Sequence, residues 1–165
     1  MPETATTDEL LQTLGQSDAD VYAVMRAVDE LARRGELRAV EPLLQLLRRN
    51  HDDWISATAA SALGKLGDRR AVELLRELVR GPAASVADLP FDLEGSEDPM
   101  AAYAAAVVLH EMDDVRFEAV RALGRIGDPA AAEDLQAVLH REEEGPEIRR
   151  AAATALESLA GARER

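Results

Sequence analysis

Apolar residues recur along this chain at three- and four-residue spacings, in short runs separated by glycine, aspartate and proline. That is the pattern of helices that each bury one face. The runs also repeat. Ala62-Leu63-Gly64-Lys65-Leu66-Gly67-Asp68 returns as Ala122-Leu123-Gly124-Arg125-Ile126-Gly127-Asp128, a shift of 60. After each copy, Ala71, Val72, Leu75, Leu78 and Val79 align with Ala131, Ala132, Leu135, Val138 and Leu139.

A shift of 60 equals two units of 30, which predicts an intervening copy. Asp98-Pro99-Met100-Ala101-Ala102 matches Asp128-Pro129-Ala130-Ala131-Ala132, with Ala105, Val108 and Leu109 in the core slots. Upstream, Leu31, Gly35, Val40, Leu43 and Leu47 precede Leu63, Gly67, Val72, Leu75 and Val79 by 32 residues. Downstream, Ile148, Ala152, Ala155 and Leu159 follow Val115, Ala119, Ala122 and Ile126 by 33. The units predicted are 18–49, 50–80, 81–112, 113–143 and 144–165, with a capping helix over 6–15.

Each unit reads as two helices joined by a tight turn. The first ends at Gly35, Gly67 or Gly127, a residue suited to the left-handed position after a helix. Asp128-Pro129 and Asp98-Pro99 then supply a capping carboxylate and a proline at the first helical position. One hairpin cannot bury both its apolar faces, whereas stacked hairpins share a continuous core. The expected fold is therefore an all-α solenoid, a right-handed α-α superhelix of about four and a half hairpins with an irregular third member.

The segment Val115 to Pro129 resembles the short bacterial HEAT repeats called phycobilisome-lyase HEAT-like. Asp52 to Asp68 resembles a second copy, and Glu147 to Leu159 a third that stops after its first helix. The resemblance implies a HEAT-like solenoid and specifies function poorly, because such repeats serve many unrelated roles. In deoxyhypusine hydroxylases the same repeats hold iron through His-Glu pairs near the starts of first helices. The matching positions here are Ala57, Phe117 and Arg150, so no di-iron site, metal or cofactor is expected.

Composition narrows the partners. Acidic residues outnumber basic ones 32 to 19, for a net charge of −13, so nucleic acid and anionic membrane surfaces are disfavoured. There is no cysteine, which excludes thiolate chemistry and Cys-based metal sites. Residues 1–9 do not resemble a signal peptide, and the longest apolar run, Pro99 to Leu109, is too short to span a bilayer. A cytoplasmic protein is expected. Glu142-Glu143-Glu144 reads as a solvated turn, Asp52-Asp53 and Asp113-Asp114 as caps of first helices, and Trp54 as a packing residue.

Aligning the units places Arg48, Arg80, His110 and His140 in one column at the ends of second helices, where cations complement the helix dipole. His110 and His140 as joint metal ligands conflict with a repeat spacing of about 10 Å and Zn–N bonds of about 2 Å. A HEAT-like DNA glycosylase would need a basic stripe. The second-helix positions Glu41, Gln45, Glu73, Arg76, Glu77, Glu133, Asp134 and Gln136 form none.

The departure from the pattern lies at 81–113. Residues 81–98 carry two internal prolines and five acids with no base, so no long first helix forms there. In the helix after this stretch, Tyr103, Ala106 and Val107 occupy the slots of Glu73, Arg76 and Glu77. A helix apolar on all sides must be covered. Either Leu89, Phe91 and Leu93 fold across it, or a partner does. The chain is thus expected to be a non-catalytic scaffold that binds a partner protein, or a second copy, through its concave second-helix face and the 81–98 loop. The candidate residues are Glu73, Arg76, Glu77, Arg80, Phe91, Leu93, Tyr103, Val107 and His110. The family name implies an alternative, a subunit or chaperone-like component of a phycobilin-lyase-type enzyme.

Overall fold

The computed structural model describes residues 5–16, 19–49, 53–81 and 99–163, except for the side chains of 99, 101–113, 162 and 163. Among the described residues there are eight α-helices and no strand: α1 Thr7–Gly15, α2 Val21–Arg33, α3 Val40–Arg49, α4 Asp53–Leu66, α5 Val72–Arg80, α6 Pro99–Ile126, α7 Ala132–His140 and α8 Pro146–Arg163. The fold is an all-α solenoid.

The turns inside the hairpins form for local reasons. Gly67 and Gly127 have φ of 69° and 74°, a region where a side chain would be strained. Their amides donate to the carbonyls of Leu63 (3.1 Å) and Leu123 (3.0 Å), which closes each first helix. The adjoining aspartate then caps the next turn: Asp68 Oδ1 accepts from Arg70 N and Asp128 Oδ1 from Ala130 N, both at 2.9 Å. A single 3-10 turn, Arg69–Ala71 or Pro129–Ala131, feeds the second helix.

The core is one continuous cluster. Leu31, Leu43, Leu63, Leu75, Leu123 and Leu135, the repeat-aligned leucines, are fully buried. At the amino-terminal end, α1 packs on α2 and α3 and buries Leu10 and Leu14. Its start is fixed by reciprocal bonds between Thr6 and Glu9.

The order of stacking differs from the expectation of a third unit between 50–80 and 113–143. Those two units pack directly on each other. First helix meets first helix: a Cβ built on Gly64 of α4 would lie 2.6 Å from Ala122 Cα on α6. Second helix meets second helix, because Arg76 of α5 pairs with Asp134 of α7. The turns meet as well, with Arg69 Nε 3.4 Å from Asp128 Oδ2. The contact repeats one layer on, where a Cβ on Gly124 would lie 2.7 Å from Ala155 Cβ on α8. The physical reason is that the two regular units present matching faces.

The expected boundary at 112/113 falls inside α6, which runs unbroken for 28 residues against 13 and 14 in α2 and α4. Asp113 and Asp114 therefore lie within a helix and do not cap one. No helix among the described residues is long and apolar enough to cross a membrane.

Candidate functional site

Three of the candidate residues on α5 belong to one charged network. Arg76 Nε donates to Asp134 Oδ2, and Arg80 Nε donates to Asp134 Oδ1 at 2.8 Å. Glu73 accepts from both guanidinium groups, at 3.1 Å from Arg76 and 3.2 Å from Arg80. Burial, the largest single influence on Asp134, raises its pKa. The hydrogen bonds from Arg80 and Arg76 together outweigh it and hold the carboxyl below its usual value. Arg76 and Asp134 are largely covered, so this network ties two layers together. Arg76 and Asp134, placed by the sequence on the second-helix face, are turned into the interface between layers and away from solvent. Glu73 and Glu77 remain exposed there.

The end of α5, where the chain leaves the regular repeats, is held by arginines from the next unit. Arg141 donates to Gly81 O (2.9 Å), Arg80 O (3.1 Å) and Val79 O (3.3 Å), carbonyls that have no partner within the helix. Arg149 in turn donates to Arg141 O and Glu142 O, each at 2.7 Å. Beneath them Arg116 of α6 and Glu144 form a buried two-pronged ion pair. The triple-glutamate turn is thus solvated only at Glu142 and Glu143.

The remaining sequence candidates divide. Tyr103, Val107 and His110 lie on the amino-terminal half of α6, with side chains outside the described set, and Phe91 and Leu93 lie outside the described residues altogether. The described members of the basic column each have a local partner. Arg80 turns to Asp134, His140 Nδ1 lies 2.8 Å from Gln136 O of its own helix, and Arg48 lies 4.0 Å from Glu41. Among the described residues no three potential ligands gather to hold a metal. Trp54 is 57% exposed, so it is not the packing residue expected.

Charge and aromatic content also meet around Phe117 and Arg150, positions the sequence marked only as lacking iron ligands. Phe117, Arg121 and Arg125 of α6 face Arg150, Thr154 and Ser158 of α8 across a groove of about 510 Å³. The signal was present as arginines at helical spacing on two first helices.

Comparison with known proteins agrees with this architecture. A family model described as HEAT repeats matches residues 7–90 and 104–164. The phycocyanobilin lyase subunit alpha of Picosynechococcus sp. is 32% identical over 133 residues, 81% of this chain and 42% of that protein. The chain thus spans less than half the length of that curated relative. The solved structure of human deoxyhypusine hydroxylase in complex with glycerol shares the fold with a TM-score of 0.64 at 22% identity, over 96% of this chain and 44% of that one. The chain belongs to the HEAT-repeat family.

Proposed function

We propose that this HEAT-repeat chain is a non-catalytic, cytoplasmic interaction scaffold that engages a partner protein through residues 82–113 and the neighbouring second-helix face. The observation that carries the reading is the direct packing of α4 on α6 and α5 on α7. The units at 50–80 and 113–143 meet directly, which on this reading leaves the stretch between them available to a partner. Glu73 and Glu77 lie on α5, the helix that precedes this stretch in the chain, and are exposed. Glu73, Arg76 and Arg80 pair with one another and with Asp134 to join layers, which supports a structural role for them over chemistry.

The test is a photo-crosslinking amino acid placed at Tyr103, at Glu77 and, as control, at Arg33, each in the native host. The same discrete product is expected at the first two positions and not at the third, and it disappears with Val107→Asp. A product between two copies of the chain would identify the partner as itself. Identical labelling at all three positions, or none, would overturn the reading.

A second reading has its own support. The 32% identity to a phycocyanobilin lyase subunit alpha favours a component of a lyase-type assembly. Bilin added to the purified chain separates the two, since a bilin-handling component shifts the pigment's absorbance and a plain scaffold leaves it unchanged.

A further inference from the structure

The groove between the second half of α6 and α8 is unlike the rest of this acidic chain. Three guanidinium groups, those of Arg121, Arg125 and Arg150, line it against one carboxylate, that of Glu147. The net charge of the whole protein is −13. Arg125 and Arg150 are exposed and make no ion pair among the described residues. Arg121 is already positioned: it donates to Glu118 at 2.6 Å and lies over the Phe117 ring, 5.5 Å from its centre. The floor is shallow because Gly124 lets Ala155 approach closely. Half-buried Phe117 and Ala151 supply apolar wall.

We propose that this groove binds an extended, carboxylate-rich segment of a partner protein, with Arg125 and Arg150 pairing with acidic side chains and Phe117, held beside Arg121, seating an apolar one between them. The charge is complementary to such a segment and opposite to the field of the protein around it. Arg121 and Arg125 are one turn apart on one helix, about 6 Å, and Arg150 faces them from the other wall.

The length fits as well. From Phe117 to Arg125 the helix advances about 12 Å, which an extended chain crosses in about four residues. Hydroxyl oxygens lie along the opposite wall to accept from peptide N–H groups. Thr154 and Ser158 each spend their own proton on the carbonyl four residues back, at 3.1 and 3.0 Å. A long polyanion such as nucleic acid would meet the repulsion of the remaining surface. This site uses first helices and stands apart from the one proposed around 82–113.

Fluorescence anisotropy of the full chain with a short labelled peptide of alternating glutamate and leucine tests the proposal. The variant carrying Arg125→Glu and Arg150→Glu is expected to bind about tenfold more weakly or worse. A control with the same charge change, Arg26→Glu and Arg49→Glu, alters exposed arginines elsewhere and should stay within about twofold. A lysine-leucine peptide should bind the doubly substituted variant no more weakly than the native chain. Absence of binding by the glutamate peptide, or equal loss in both variants, overturns the site. Competition by inorganic phosphate or a single-stranded oligonucleotide at lower concentration than the peptide overturns the assigned partner class.

Discussion

Arg116 of α6 and Glu144, just ahead of α8, face each other through two hydrogen bonds in the interior, with the Glu144 side chain wholly withdrawn from solvent. Arg116 Nη2 also reaches Val79 O at 3.4 Å, so one pair joins α6, the end of α5 and the approach to α8. Removing one partner leaves a buried charge uncompensated. Glu144→Ala is expected to cost about 3–5 kcal/mol. Replacing both, as Arg116→Met with Glu144→Leu, should recover much of that loss. Urea unfolding followed by far-ultraviolet circular dichroism measures both.

The layers approach most closely at glycines. Gly64→Ala improves intrinsic helix propensity by up to about 1 kcal/mol. The added methyl would meet the Ala122 backbone at 2.6 Å, and backbone cannot move aside cheaply. Forcing the helices apart costs about 1–3 kcal/mol, so a net loss of stability is expected. Gly161→Ala, where nothing lies within 4 Å, should be neutral or slightly stabilising. Paired thermal melts of the two variants distinguish a packing effect from a propensity effect.

Asp134 gives a pH signature. Its carboxyl titrates lower in the folded protein than its ordinary value of 3.8, since Arg80 and Arg76 together overcome the opposing effect of burial. A depressed folded pKa stabilises the fold above the unfolded pKa, and that contribution fades as pH falls through the folded one. The stability gap between the native chain and Asp134→Asn should be about 1–3 kcal/mol at neutral pH. It should hold down to about pH 4 and shrink below. Denaturant titrations at several pH values would show it.

The hairpins were legible in the sequence because their causes are local. Apolar spacing marks each helix, and Gly67-Asp68 and Gly127-Asp128 mark the turns. The neighbour of each layer was not legible. A shift of 60 is the same whether a third hairpin sits in the stack or the chain makes an excursion between two adjacent layers. Periodicity reports which face of a helix is buried and not which helix covers it. Glu144 and Asp134 were hidden for a similar reason, since their arginine partners lie 28 and 54 to 58 positions away. The groove at Arg121, Arg125 and Arg150 needed the register of α6 against α8.

The direct contact of α4 with the second half of α6 brings the Gly64 and Ala122 backbones together, and nuclear Overhauser effects between Gly64 Hα and the Ala122 methyl group report on it. A strong cross-peak is expected there, with a matching one between Gly124 Hα and the Ala155 methyl. Cross-peaks from Gly64 to methyl groups of residues 101–109, with none to Ala122, would instead place a third hairpin between the layers and refute the direct packing.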